Sequence, residues 1–527
     1  MKKILLFLLI LNLTLGSWAN HKDSAILNLR TTSLKMSISG TGSILDFTDL
    51  KTNKNYLAKD APVYLMSLRI NNEIKVSQKA KASKNTISLF FENNIEAKIK
   101  IEEKASYLSF ELISLTNKDA VDLIIWGPYS TTINKIIGET VGVVREDEYA
   151  IGIQSLNIKT LGGYPWNESD RMPAFDIFRE ADINNMHPKT DESVLYRVEA
   201  AKPTMTGSSL QAYCRNRYKD RILQAFSHET MVALASDDGG VIHSKIALFG
   251  CPSAEALKTI GEIEITEGLP HAMIDGEWVK TSPQAAAAYI ITNFTEDNID
   301  SAIALTKKAG LKYLYHYGKT FENWGHFELY KGEFPNGMAG LKKCVDKAEA
   351  QGIMVGTHFL SNFITTNDPY VTPIPDKRLA VVGNSIIVKN INATDTEILI
   401  QSPDFFNQME NNNLKTVMIG NELIRYGTVS EKSPWKLLDC QRGAFNTTAA
   451  EHPSGEKIAK LLDHGYKVFL TNAELTVEMS KRIAAIYNQT GLRQISFDGL
   501  EGNRSTGLGT YGESLMPYTW YNSLSPQ

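Results

Sequence analysis

The chain has 527 residues, which at about 150 residues per domain is enough for three or four domains. Hydrophobic residues make up 43% and charged residues 22% of it, a composition that is typical of globular proteins and excludes a disordered or coiled-coil chain. The 55 basic and 59 acidic residues give a net charge of −4, so the sequence carries no electrostatic indication of nucleic-acid binding and favours a neutral or small-molecule partner.

The first twenty residues have the pattern of a secretory signal. Lys2 and Lys3 precede an apolar run from Ile4 to Leu11, and small residues on either side of Trp18 suit a signal peptidase. The run is shorter than the ~20 residues of a membrane-spanning helix, and no later stretch comes close. We therefore predict that residues 1–19 are removed near Ala19, and that the protein is exported to a periplasm or the medium without a membrane span.

Residues 20–275 show short runs of alternating apolar and polar residues. Ile87 to Phe91, Tyr107 to Leu112 and Val121 to Trp126 are examples, and clusters of turn residues separate them. This spacing is typical of antiparallel strands, so we predict a large β-sandwich domain.

The four cysteines, Cys214, Cys251, Cys344 and Cys440, are widely separated along the chain. They form neither a disulfide framework nor a pair with zinc-binding spacing, so we expect buried thiols. Asp368, Asp376 and the other acidic residues lack the spacing of a calcium loop. We predict no metal site and no cofactor.

The pattern changes after Ser282, where strands and helices alternate and two of the helices end at a glycine. This is the repeat of a parallel sheet, with Gly310 and Gly352 as helix caps. We predict about four βα units of a (β/α) barrel, whose first part covers 285–380 and whose continuation covers 466–527. The predicted strands are 285–292, 311–317, 353–359 and 493–498, and the predicted helices are 298–310, 338–351 and 476–488.

A different pattern interrupts these units between residues 381 and 463. Short β runs occur there, and Gly420-Asn421 between two apolar runs is a strong hairpin signal. Because βα loops tolerate insertions, we predict a small inserted all-β module. The runs 440–445 and 452–455 could bind a ligand, but a structural role is favoured.

In a βα barrel, reactive side chains gather where the parallel strands end. Asp498 follows an apolar strand and precedes Gly499, which allows a sharp turn close to a ligand; Glu501 lies three residues on. A carboxylate at that place can attack an anomeric carbon or hold a sugar hydroxyl, whereas the alternative is that Asp498 caps the next loop or helix. We take Asp498 and Glu501 as candidate catalytic residues. The candidate substrate-binding residues are Tyr315, His316, Tyr317, Trp324, His358 and Asn362.

Three segments resemble alpha-galactosidase-like glycoside hydrolases of the clan D type, which are TIM barrels with an N-terminal β-sandwich that Bacteroidetes secrete. They are Phe334-Pro-Asn-Gly337 leading into Leu341, Gln351-Gly-Ile-Met-Val-Gly356, and Ile495-Ser-Phe-Asp-Gly499. The resemblance covers roughly residues 285–380 and 466–512. It implies that Asp498 is the nucleophile of a retaining mechanism and that His358 binds sugar.

The chain departs from that family in two ways. Tyr315-His316-Tyr317 and Thr357-His358 stand where those enzymes have tryptophan-aspartate pairs near the early strands. The family's acid/base lies near the sixth strand, but only four strands are predicted here. Since the residues left for the barrel cannot build the ~250-residue eight-stranded form, we expect a chain that is truncated relative to this family.

Three functions therefore stay open. The first is a secreted glycoside hydrolase acting on a poly- or oligosaccharide. The second is a polysaccharide lyase on a uronic-acid polymer, with tyrosine and histidine as acid and base. The third is a truncated, non-catalytic carbohydrate-binding protein. All three predict a carbohydrate partner and no nucleic acid.

Overall fold

The computed structural model describes residues 24–138, 142–165, 200–224, 230–406 and 413–525. The fold is mostly β, with 38% of the residues in strands and 20% in helices. The predicted signal segment 1–19 lies outside the described residues.

Up to residue 252, the described chain is built almost entirely from strands. They are β1 (Ala25–Arg30), β2 (Leu34–Ser39), β3 (Ser43–Asp49), β4 (Val63–Tyr64), β5 (Met66–Ile70), β6 (Glu73–Val76), β7 (Lys79–Ser83), β8 (Thr86–Phe90), β9 (Glu96–Glu103), β10 (Leu108–Leu115), β11 (Leu123–Thr131), β12 (Ile136–Ile137), β13 (Val143–Arg145), β14 (Tyr149–Ser155), β15 (Thr160–Gly162), β16 (Ala201–Thr204), β17 (Gly207–Arg215), β18 (Arg221–Gln224), β19 (Thr230–Ala233) and β20 (Lys245–Pro252).

All of these strands except β18 and β19 belong to three antiparallel sheets. The largest has the order β12-β13-β14-β20-β10-β9-β8-β7, the second β15-β17-β11-β5-β6, and the smallest β1-β2-β3-β4. In β8, Ile87 and Leu89 are buried and alternate with less buried residues, which is the pattern that predicted a strand there. Phe47, Trp126 and Leu248 come from different sheets but pack in the same hydrophobic cluster.

The rest of the described chain contains both helices and strands. In chain order it contains α1 (Ala256–Glu267), β21 (Met273–Ile274), β22 (Glu277–Trp278), β23 (Ile290–Thr292), α2 (Ile299–Lys308), β24 (Tyr313–His316), α3 (Gly337–Glu349), β25 (Met354–Leu360), β26 (Val381–Ile386), β27 (Ile398–Leu399), β28 (Thr416–Ile419), β29 (Glu422–Arg425), β30 (Thr428–Val429), β31 (Lys436–Leu438), β32 (Lys457–Leu461), β33 (Asp463–His464), β34 (Val468–Phe469), α4 (Ala473–Thr490), β35 (Gln494–Asp498), α5 (Leu500–Asn503) and α6 (Thr510–Asn522).

Four of these strands make a parallel sheet in the order β23-β24-β25-β35. Each predicted strand of the βα series has its counterpart in this sheet, but the first is shorter than expected. Pro283 to Ala286 form a 3₁₀ turn instead, because the Ser282 side chain accepts a hydrogen bond from the Gln284 N–H and caps it.

Helices cover one face of the parallel sheet. Phe359 packs against Tyr487 of α4, and Phe497 packs against Trp520 of α6, with ring centroids 5.8 Å and 5.1 Å apart. Because strand side chains alternate between faces, the set containing His358 and Asp498 points to the opposite face. That face is open near β23, where Ile291 is 55% exposed.

Antiparallel strands between β25 and α4 form a separate small core. Two sheets, β26-β32-β28-β29 and β27-β31-β30, enclose Ile398, Val417 and Leu437. The predicted hairpin joins β28 to β29, and Gly420 takes a positive φ of 52° in its turn.

A buried ionic network explains the two sequence runs that could have bound a ligand. The Glu422 carboxylate, which is fully buried, accepts two hydrogen bonds from Arg442 at 2.9 and 2.8 Å and one from His452 Nε2 at 2.9 Å. The backbone N–H groups of Gly443 and Ala450 donate to it as well. These contacts use the polar groups of both runs to hold the module together.

The hairpin of β18 and β19 reaches from the N-terminal β part to the helical part. Leu223 and Met231 pack in one cluster with Phe363. Arg221 Nη2 donates to the carbonyl oxygen of Gly507 at 3.1 Å, and the Arg217 guanidinium lies 4.1 Å from the ring centre of Tyr511.

All four cysteines are buried and free, which confirms the expectation of buried thiols. Burial raises the pKa of Cys214 and Cys440 to about 12 and that of Cys251 and Cys344 to about 11. No helix in the described ranges combines the length and the apolar character needed to cross a membrane.

Candidate functional site

The carboxyl ends of β24, β25 and β35 meet at one edge of the parallel sheet. Parallel pairing places His316 beside Thr357 and Leu360 beside Asp498. The loops that follow these strands therefore converge at this edge, where parallel α/β sheets bind their ligands.

Asp498 ends β35 with an exposed side chain. Its Oδ1 accepts a hydrogen bond from the N–H of the adjacent Gly499 at 2.9 Å, whereas a capping aspartate accepts from an N–H two or three residues further on. Its Oδ2 has no hydrogen-bond partner among the described residues. One carboxylate oxygen is thus available to a ligand.

The turn after Asp498 requires glycine. Gly499 has a φ of 76°, and a Cβ atom added there would lie 3.0 Å from the Phe363 ring. The Asp498 carbonyl oxygen also accepts hydrogen bonds from the Ser361 N–H and Oγ, both at 2.8 Å. The contact with Phe363 and the hydrogen bonds from Ser361 therefore restrict the backbone at Asp498 and Gly499.

His358 lies close to two aromatic rings. Its ring centre is 6.3 Å from Tyr317, which is 66% exposed, and 6.0 Å from the half-buried Trp324. Burial lowers the pKa of His358, and the Asp498 charge opposes the shift. A neutral imidazole beside a carboxylate and two aromatic rings is suited to binding a polar ring compound.

Tyr315 lies deeper on the face of the sheet that carries His358. It is 5% exposed and packs against Tyr289, with ring centres 5.8 Å apart. Burial raises the pKa of Tyr315 to about 12. The contact with Ser496 lowers this pKa, whereas the negative charge of Asp498 raises it further. The hydroxyl therefore stays protonated at neutral pH and can donate a hydrogen bond.

His316 belongs to the other face of the sheet and is not brought together with these residues. It is 1% exposed; its Nε2 lies 3.0 Å from the Phe294 carbonyl oxygen and its Nδ1 lies 2.8 Å from Thr320 Oγ1. Glu333 Oε2 is 2.9 Å from Nε2. Burial lowers the pKa of His316 to about 4 and raises that of Glu333, so both groups favour their neutral forms.

This burial predicts an acid-sensitive fold. The pKa of His316 is lower in the folded state than its ordinary value of 6.5, so the stability it contributes is fully present above pH 6.5 and is lost as pH falls towards 4. The full shift corresponds to about 3 kcal/mol. Chemical denaturation at a series of pH values should show a smaller loss in His316→Gln than in the wild type. The exposed-residue control His243→Asn should keep the wild-type slope, and an unchanged slope in His316→Gln would contradict the prediction.

Asn362 and Glu501, the remaining predicted site residues, are not seen at the open face in the described part of the structure. Asn362 is fully buried, and its amide atoms have no hydrogen-bond partner within the described residues. A Cβ atom added at Gly502 would lie 2.4 Å from its Oδ1, so the amide packs directly against α5. Glu501 is in α5, but its side chain is outside the described part of the structure.

Two aromatic residues in the loops that follow β24 and β25, Phe327 and Tyr370, have packing roles. Phe327 is fully buried and Tyr370 is 5% exposed. Tyr370 donates to Glu478 at 2.6 Å and packs 4.2 Å from the His326 ring. His326 Nδ1 in turn lies 2.8 Å from the buried Asp368 carboxylate. Across the described ranges, no group of three or more His, Cys, Asp or Glu side chains is arranged to hold a metal ion.

Sequence reasoning missed one exposed aromatic residue at this edge. Tyr466 lies in the turn between β33 and β34 and is 66% exposed. Gly465 beside it, between two apolar runs, is a hairpin signal that could have placed Tyr466 at the tip of a turn.

Solved structures that resemble this fold include glycoside hydrolases, at low sequence identity. The alpha-N-acetylgalactosaminidase NagBb from Bifidobacterium bifidum is 10% identical with a TM-score of 0.39; the match covers 90% of this chain and 70% of that one. A GH31 family sulfoquinovosidase from E. rectale is 10% identical with a TM-score of 0.40, and the match covers 94% of this chain and 63% of that one. The GH36 alpha-galactosidase AgaA from Geobacillus stearothermophilus is 8% identical with a TM-score of 0.38, and the match covers 93% of this chain and 70% of that one. No family model and no curated protein sequence matches the chain. At these values the function has to be argued from the site itself.

Proposed function

We propose that the protein is an exported carbohydrate-active enzyme, a glycoside hydrolase that acts on a poly- or oligosaccharide. The observation that carries the proposal is the exposed Asp498 carboxylate, with one free oxygen, at the end of a parallel strand and on the same face as His358 and Tyr317. In this proposal β1–β20 form a β-sandwich domain, the parallel sheet belongs to a (β/α) barrel, and residues 1–19 direct export.

Asp498 would act as the nucleophile or as the group that stabilises an oxocarbenium-like transition state. A retaining mechanism also needs a protonated carboxyl group about 5–5.5 Å away to donate a proton to the leaving oxygen. We propose Glu501 for this role, since α5 begins directly after the turn at Gly499. Aromatic faces at Tyr317 and Trp324 would pack on the apolar faces of sugar rings.

A lyase acting on a uronic-acid polymer is the second candidate. The contact between Tyr317 and His358 favours it, because burial keeps that histidine neutral and able to accept a proton from C5, with tyrosine as the partner acid. The lyase would use Asp498 only to influence the charge of His358.

Product analysis tests both candidates. Purified protein is incubated with a panel of neutral and uronic-acid polysaccharides, and the products are separated by mass. The hydrolase proposal expects saturated products whose summed mass exceeds that of the substrate by one water for each bond cleaved. Unsaturated uronides that absorb in the ultraviolet would contradict the hydrolase proposal and support the lyase. Binding to a polysaccharide without any product would overturn both and leave a non-catalytic binding protein.

A further inference from the structure

The loop 361–365, directly after β25, connects three parts of the site edge. Ser361 donates two hydrogen bonds to the Asp498 carbonyl oxygen. At the other end of the loop, the Thr365 N–H donates to the Trp324 carbonyl oxygen at 3.0 Å, and Thr365 Oγ1 accepts from the Trp324 N–H at 3.1 Å. Between them, the Ile364 and Phe469 backbones exchange a pair of hydrogen bonds, both at 2.9 Å.

The hairpin of β33 and β34 is thereby fixed next to Asp498. Phe363, which the added Cβ of Gly499 would touch, packs against the His464 ring at 4.5 Å and against the Tyr466 ring at 5.9 Å. The His464 and Tyr466 rings meet edge to face at 5.0 Å. The inner side of the Tyr466 ring is thus supported by two packed rings, while 66% of the residue is exposed.

A supported but exposed tyrosine is the form that sugar-stacking residues take. The ring is rigid because Phe363 and His464 restrict it, so little conformational entropy is lost when a ligand covers it. Its exposed area would be covered by the apolar face of a pyranose, whereas its hydroxyl stays in water. Since the same loop holds Asp498 and this hairpin, their relative position does not depend on a flexible connection.

We propose that Tyr466 forms a second sugar subsite, which binds a sugar unit adjacent to the one held at Asp498. This inference rests on the proposed function and narrows it, because a protein with such a subsite favours substrates of two or more sugars over a single sugar with a small aglycone. The hairpin that closes the inserted module then contributes directly to substrate choice.

The test compares oligosaccharides with monosaccharides. Fluorescently labelled Asp498→Asn preserves the shape of the site and is expected to cleave roughly 10³-fold more slowly. This variant and the double variant Asp498→Asn/Tyr466→Ala are each applied to an array of immobilised mono- to hexasaccharides. We expect the double variant to bind oligosaccharides about tenfold more weakly and monosaccharides equally well. The variant with Tyr466→Phe in place of Tyr466→Ala should bind oligosaccharides as tightly as Asp498→Asn alone does. The control Tyr218→Ala, which removes an exposed tyrosine from the N-terminal β part, should change nothing.

The other outcomes are distinguishable. Equal oligosaccharide binding with and without Tyr466 overturns the subsite and leaves the proposed function in place. An equal loss for monosaccharides and oligosaccharides assigns Tyr466 to the Asp498 subsite and also overturns the inference. If the wild type neither binds nor cleaves any sugar, the proposed function fails and the subsite with it. Circular dichroism and melting temperatures, compared with Tyr466→Phe, identify a variant that has simply lost its fold.

Discussion

Asp498→Asn is expected to lower glycoside hydrolysis by roughly 10³-fold or more, because an amide can neither form the glycosyl ester nor carry the negative charge that stabilises an oxocarbenium-like transition state. Binding of the intact saccharide should persist, since the substitution preserves the shape of the side chain and the turn at Gly499. The measurement is kcat on the saccharide that the product screen identifies, together with its Kd from titration calorimetry.

Two comparisons make this result specific. Asp346→Asn removes an acid from the solvent side of α3, where it pairs with Lys342, and should keep full activity. Asp498→Ala should recover part of its activity when azide is added, because a small anion can occupy the space of the lost nucleophile. If Asp498→Asn retains more than about a tenth of the wild-type kcat, the carboxylate does not participate in the chemistry.

Glu422→Ala is expected to destabilise the inserted module by about 3–5 kcal/mol. The substitution leaves Arg442 and His452 buried without their acceptor, and two backbone N–H groups lose theirs. The pKa of Glu422 is held below its ordinary value despite burial, because the hydrogen bonds from Arg442, His452 and the backbone outweigh the loss of solvent. The carboxylate is therefore charged at neutral pH, and its removal breaks an ionic network.

The free energy of unfolding from a urea titration checks this expectation. The matched control is Glu456→Ala, which also removes a carboxylate from His452 but at a 31% exposed position, where the expected cost is within about 1 kcal/mol. Equal losses in the two variants would show that the buried network is not what stabilises the module.

The order of elements in the parallel sheet was predictable because its signals are local. The helix predicted at 298–310 is observed at Ile299–Lys308 and the one at 338–351 at Gly337–Glu349, and the glycines that follow them take a positive φ. A hydrophobic periodicity and a left-handed cap need no knowledge of distant residues. The end of β35 at Asp498 was predictable for the same reason.

The face of the sheet to which each strand residue points was harder to predict from the sequence. Alternation separates His316 from Tyr315 and Tyr317, but aromatic or apolar residues occupy both sets, so the sequence does not indicate which set the helices cover. The structure places His316 against Phe294 and Phe334 on the helical side. The contact of Phe363 with His464 was equally hidden, since it joins residues that the whole inserted module separates in sequence.

The hairpin of β18 and β19 has a consequence for how the molecule comes apart. Its Leu223 and Met231 share a core with Phe363, Val382 and Leu470, and its Arg221 holds the segment that leads into α6. If the N-terminal sheets detached, Phe363 beneath the Asp498 turn would lose its apolar neighbours in the hairpin. If the parallel sheet opened, Leu223 and Met231 of the hairpin would lose their contact with the core around Phe363.

 

Opening one part therefore exposes apolar surface of the other, and we expect calorimetry to show a single cooperative unfolding transition for the two.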